Sequence, residues 1–184
     1  MFDTIRADIG RFHRQDERNT LRLLWYSPGL KSLIAYRFGV WLRKIRRNPL
    51  CWPVVLVLAP FYWMLSAYVR LAFDIILDTS AVIGPGLYIG HFGGIRLRDC
   101  RLGSCCSIQQ EVYLEPQAGG SDGPIIGNNV WIGAHARIQG PIKIGNGVTV
   151  GGGAFVTRDV AERCLVLGNP ARVMQREYDN SSFL

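Results

Sequence analysis

The chain has 184 residues, a formal net charge of +7, 48% hydrophobic residues and 21 glycines. That length allows one domain of ordinary size with a smaller appendage, and the apolar and glycine content excludes a disordered chain. Residues 1–50 hold 11 Lys/Arg against 4 Asp/Glu while residues 51–184 hold 10 of each, so the basic surplus belongs to the N-terminal segment.

Residues 3–24 carry apolar positions at helical spacing (Ile5, Ile9, Phe12, then Leu21, Leu23 and Leu24), and an amphipathic helix is expected there. Residues 1–9 show no apolar signal-peptide core. Ser27-Pro28-Gly29 breaks the helix, and Ser27 with Pro28 reads as the N-cap and first turn of the next one. Over residues 30–46, Leu30, Leu33, Ile34, Phe38, Trp41, Leu42 and Ile45 share a face, with Lys31, Arg37 and Lys44 mostly off it. The basic surplus suits either an anionic surface or a solvated helical face. No nucleic-acid motif accompanies it, and no nucleic-acid partner is expected.

Residues 48–69 carry no charge. The run is long enough to span a bilayer at about 1.5 Å per residue, but Pro53 and Pro60 interrupt it. An interfacial segment flanked by Arg43, Lys44, Arg46 and Arg47 is the expectation, with membrane contact through residues 43–70. The alternative is a helix buried on a neighbouring subunit.

The second half beats in sixes. Ile108, Leu114, Ile126, Ile132, Ile138, Ile144, Val150 and Val156 share one phase, skipping only Gly120. Ile83, Ile89 and Ile95 keep the same beat, displaced by a one-residue insertion before Leu102. A period of six is neither the 3.6 of a helix nor the 2 of a strand. It marks a β-helix, in which each short strand turns one aliphatic residue inward and then a corner. About five coils over residues 78–166 are expected, with the polar stretch Glu115–Pro124 looped out. The fold class is mainly β, with a helical segment over 1–75 and the β-helix with its C-terminal cap over 76–184. The five cysteines (51, 100, 105, 106 and 164) form no C-x-x-C pair and have no histidine at ligand spacing. Reduced thiols and no metal are expected.

Several stretches together resemble a known family, the hexapeptide-repeat acyltransferases. Ile83-Gly84-Pro85-Gly86-Leu87-Tyr88-Ile89-Gly90-His91-Phe92-Gly93-Gly94-Ile95 is similar to the segment that carries the catalytic histidine in its serine acetyltransferase branch. Asn129-Val130-Trp131-Ile132-Gly133-Ala134 resembles a later coil, and Gly168-Asn169-Pro170-Ala171-Arg172 the C-terminal cap. Ser27-Pro28-Gly29-Leu30 with Tyr36-Arg37 resembles the helical lead-in. The resemblance implies a left-handed parallel β-helix, a homotrimer, and acetyl-CoA as co-substrate in a groove between subunits. It implies His91 as general base, a role a neutral imidazole with pKa near 6.5 suits at pH 7. Backbone N–H groups at Gly93 and Gly94 are candidates for stabilising the oxyanion. Ala134, Gly151, Gly152 and Gly153 are candidates for keeping the cofactor groove open, and Arg158 and Arg172 for meeting its phosphates. His135 flanks the same groove, and His13 lies in the basic helix.

The chain departs from the branch where the acceptor is held. The acid expected to orient the histidine falls at Ile76, with Asp74 and Asp78 two residues to either side, and Asp78 is the candidate substitute. The acid expected just before the histidine is Gly90, and an expected Arg-His pair falls at Asp122-Gly123. The expectation is therefore an O-acetyltransferase acting on a sugar or lipid-linked glycan in polysaccharide biosynthesis, in the cytoplasm at the inner face of the membrane. The alternatives are a serine O-acetyltransferase with a rebuilt acceptor site, a catalytically silent β-helix scaffold, and a module that binds anionic surfaces.

Overall fold

A computed structural model describes residues 2–15, 19–90 and 93–184. Among these residues four α-helices lead: α1 (Phe2–Gln15), α2 (Thr20–Tyr26), α3 (Pro28–Ile45) and α4 (Trp52–Phe73). The stretch read as one helix over 3–24 is thus two. α1 seats Phe12 against Tyr88 of the β-helix, ring centroids 4.8 Å apart, and α2 buries Leu23. Ser27 caps α3 as expected, its Oγ accepting from Leu30 N at 3.3 Å with Pro28 in the first turn.

Among the described residues fifteen short strands follow, from β1 (Ile75–Leu77) to β15 (Arg172–Arg176). They stack into three parallel sheets. One runs β1, β4 (Ile95–Leu97), β7 (Tyr113–Glu115), β10 (Arg137–Gln139) and β13 (Phe155–Val156). A second holds β2 (Val82–Ile83), β5 (Arg101–Leu102), β8 (Ile125–Ile126) and β11 (Lys143–Ile144). The third holds β3 (Tyr88–Ile89), β6 (Ser107–Ile108), β9 (Trp131–Ile132), β12 (Thr149–Val150) and β14 (Cys164–Leu167), with β15 closing it antiparallel. This is a parallel β-helix of about five coils.

Every residue of the six-residue beat is buried, Ile83 through Val156. A second inward set lies two residues earlier: Leu87, Cys100, Cys106, Val112, Val130, Ala136, Val148, Ala154 and Cys164 are all buried at corners. Three of the five cysteines are therefore core residues, and all five thiols are free. The insertion before Leu102 is absorbed where Asp99 takes a φ of 47°. Glu115 ends β7 and Ile125 begins β8, so the polar stretch loops out between them, with residues 117–122 exposed.

Arg37 is not off the packed face of α3. It is buried and ion-paired to buried Asp8 of α1 (Nε to Oδ2, 3.0 Å), and it donates to the carbonyls of Ile83 and Gly84, each at 2.6 Å. Asp8 Oδ1 in turn accepts from Gly86 N at 2.8 Å and Leu87 N at 3.2 Å. Burial is tolerated because both charges find partners. The network fastens α1 and α3 to the coil that leads into Gly90. Arg11 is buried as well and reaches Ser107 Oγ at 3.3 Å. Part of the N-terminal basic surplus is thus interior.

Candidate active site

The corner between β3 and β4 contains Gly90, Gly93 and Gly94. His91, the expected base, lies outside the described residues, as does Phe92. The positions around them are defined. Gly93 O accepts from Glu111 N at 2.9 Å, Gln110 O from His135 N at 3.0 Å, and Ala134 O from Gly153 N at 2.8 Å. Successive corners therefore stack into one column, about 4.8 Å per coil. Asp74, Gly94, Glu111, His135 and Gly153 all take left-handed φ, between 50° and 68°. Glu111, His135 and Gly153 each fall three residues after an inward aliphatic (Ile108, Ile132, Val150). The beat that builds the core also lines up this column.

Asp74 forms its base. Its Oδ2 accepts from Gly94 N at 3.0 Å and its carbonyl from Ile95 N at 3.1 Å, so this carboxylate borders the 90–94 corner. The Gly94 N–H, a candidate oxyanion donor by sequence, is already committed to Asp74. Asp78 lies at the other end of β1, about 13 Å along the strand from Asp74. There it accepts from Ser80 N at 2.9 Å and borders a cleft shared with Tyr62 and Ser66 of α4.

Above Gly94, Glu111 Oε2 pairs with His135 Nδ1 at 2.9 Å, both side chains more than half exposed. A carboxylate on Nδ1 favours the tautomer with its proton there and leaves Nε2 directed outward. A β-carbon at Gly94 would lie 2.7 Å from Glu111 Cγ, so the glutamate side chain crosses the corner closely. Sequence reasoning placed no role on Glu111, although its register in the repeat aligned it with His135.

Of the groove candidates, Ala134 is half-buried and Gly152 and Gly153 are exposed, leaving a low strip along the upper column. Gly151 is buried against Leu167, so the stacking of coils alone demands its small size. Arg158 and Arg172 are exposed on the last coils, and Ala171, just before Arg172, donates to Phe155 O at 2.8 Å. His13 is half-buried, its Nε2 2.9 Å from Thr20 Oγ1. Among the described residues no cluster of His, Cys, Asp and Glu is placed to hold a metal.

Comparison with known proteins agrees with this architecture. Residues 123–158 match the family model described as bacterial transferase hexapeptide (six repeats). The chain is 34% identical over 181 residues to a serine acetyltransferase of Synechococcus elongatus, covering 96% of this chain and 70% of that protein. It is 33% identical to the serine acetyltransferase of Escherichia coli K12, covering 82% of this chain and 52% of that enzyme. The crystal structure of Neisseria gonorrhoeae serine acetyltransferase superposes with a TM-score of 0.80 at 27% identity, over 98% of this chain and 68% of that one. The soybean serine acetyltransferase apoenzyme gives 0.78 at 30% identity, over 94% and 68%.

The coils and the match define a hexapeptide-repeat acyltransferase, and the acetyltransferases among its relatives use acetyl-CoA as co-substrate. Within that class the chain belongs to the serine acetyltransferase family. These relatives point to serine rather than to the glycan acceptor that the sequence departures suggest.

Proposed function

We propose that the chain is an O-acetyltransferase that moves acetyl from acetyl-CoA to the hydroxyl of serine. The observation that carries this reading is the corner column beside residue 91. The acids absent at positions 76 and 90 have counterparts there in Asp74 and Glu111. His91 takes the hydroxyl proton as the oxygen attacks the thioester carbonyl. The C–S bond then breaks and the proton passes to the departing thiolate, giving the O-acetyl product and free CoA. We assign Asp74 rather than Asp78 as the acid that orients the histidine, because its Oδ2 accepts from Gly94 N at 3.0 Å while Asp78 lies at the far end of β1. Glu111 offers a carboxylate to the acceptor's ammonium group. The strip of Ala134, Gly152 and Gly153 accommodates the arm of acetyl-CoA, and Arg172 and Arg158 meet its phosphates. The working unit is a homotrimer in the cytoplasm, with neighbouring subunits flanking the column.

The second reading is transfer to the hydroxyl of a sugar or lipid-linked glycan at the inner face of the membrane. The residues at Ile76, Gly90 and Asp122-Gly123 favour it, as does the open apolar face of α4. Acetyl-CoA turnover with serine, nucleotide sugars, oligosaccharides and lipid-linked glycans, with products identified by mass, separates the two. O-acetylserine as the main product supports the first reading. An acetylated glycan with no O-acetylserine establishes the second.

A further inference from the structure

α4 presents an apolar stripe to the outside. Pro53, Leu56, Val57, Pro60, Phe61, Met64, Tyr68 and Leu71 recur at spacings of mostly three and four, and all are exposed, Leu56 by 69% and Leu71 by 84%. Trp52 and Trp63, the latter 75% exposed, flank the stripe. Between Asn48 and Val69 there is no charge at all. Exposed apolar patches of this extent mark a binding surface.

The opposite face of α4 is occupied. A β-carbon at Gly39 of α3 would lie 2.5 Å from the Tyr62 ring, Phe38 packs on Tyr62 with ring centroids 6.1 Å apart, and Val69 is buried. Tyr62, Ser66 and Val69 line a cleft with Ile75, Asp78 and Thr79. The helix is long and apolar enough to cross a membrane by itself. Yet α3 and β1 lie alongside it and bring polar groups to the same depth, which a spanning position would have to desolvate.

The charge pattern identifies the occupant. Arg43, Lys44, Arg46 and Arg47 are all exposed at the turn into α4, and Arg46 joins Trp52, Leu56 and Trp63 around one groove. At the other end of the helix, Lys31 lies 5.4 Å from the Phe73 ring and 5.9 Å from the largely exposed Trp25. A second copy docked here about a two-fold axis would meet this collar with an identical cationic one, and α4 carries no carboxylate to answer it. An anionic lipid surface offers both an apolar boundary for the stripe and phosphates for the collar.

We propose that α4 docks side-on into the interface of an anionic bilayer, with Leu56, Val57, Phe61, Met64 and Leu71 among the acyl chains and Lys44, Arg46 and Arg47 on the headgroup phosphates. The inference is independent of which hydroxyl is acetylated, and flotation needs no acceptor. The full chain is floated with vesicles of phosphatidylcholine alone or with 30% phosphatidylglycerol, about as acidic as a cytoplasmic leaflet. The variants are Lys44→Glu/Arg46→Glu/Arg47→Glu and Val57→Glu/Met64→Glu, with thermal melts and light scattering as controls for folding and assembly. The wild type should float with the anionic vesicles, at least about tenfold better at 50 mM than at 500 mM salt. The collar variant should lose that salt-dependent part, and the stripe variant should lose flotation altogether while keeping its melt and its mass. Absence of wild-type flotation at either composition overturns the proposal. So does a stripe variant that falls apart into smaller oligomers, because the face then belongs to a subunit interface.

Discussion

Gly94 shows how closely the corner column is built. Its φ is 64°, and a β-carbon there would collide with Glu111 Cγ. Gly94→Ala should cost about 1–2 kcal/mol in chemical denaturation, and it should depress turnover because Glu111 is displaced. Glu111→Gln keeps the shape and removes the charge. If Glu111 holds the acceptor's ammonium, this variant raises the serine KM about tenfold, equivalent to roughly 1.4 kcal/mol, and leaves the acetyl-CoA KM unchanged. A merely structural glutamate would leave both KM values alone. The thiols give a separate check. Burial pushes Cys106 and Cys100 from the ordinary thiol value up to about 12, whereas Cys105 is exposed. Iodoacetamide at pH 8 should therefore label Cys105 in the folded protein and reach Cys100 and Cys106 only after unfolding. The folded state keeps these two buried thiols protonated in a range where the unfolded state ionises them. Stability should fall as pH rises from about 9 toward 12, which urea titrations at stepped pH would measure.

At the scale of elements, the Asp8–Arg37 pair joins α1 and α3 to the coil before Gly90. Removing one partner strands a buried charge, so Asp8→Ala should destabilise the protein by about 3–5 kcal/mol in urea titration. The hexapeptide beat made the strands legible, because a period of six admits few other folds and each beat residue, from Ile83 to Val156, proved to be inward. The second inward set at corners was not legible. Leu87, Cys106, Val130 and Ala136 share no residue type, and only the stacking of coils aligns them. Arg37 was misread for a related reason. Helical periodicity assigns a guanidinium to solvent, whereas here tertiary contacts supply Asp8 and two carbonyls to a buried one. At the site, the segment around His91 was recognisable as a motif. The acids of the corner column were not, since Asp74 and Glu111 reach Gly94 from different coils. Sequence spacing offers Asp78 as the substitute for the acid at 76; in the fold it lies at the far end of β1 from Asp74, whose Oδ2 accepts from Gly94 N.

For the molecule as a whole, a β-helix carries the corner column proposed as the site, and the helical segment presents the exposed apolar face of α4. The family uses acetyl-CoA as donor, and in the proposed reading Asp74 and Glu111 take the place of the acids lacking at positions 76 and 90. The central claim is acetyl transfer with His91 as base. Its most direct test is free-thiol release from acetyl-CoA with serine, comparing wild type with His91→Ala and following acetyl-CoA binding of both by calorimetry. Wild-type turnover should drop by about 10² or more in the variant, with binding retained. An active variant, or a wild type that neither binds acetyl-CoA nor releases thiol with serine or any glycan, would contradict it.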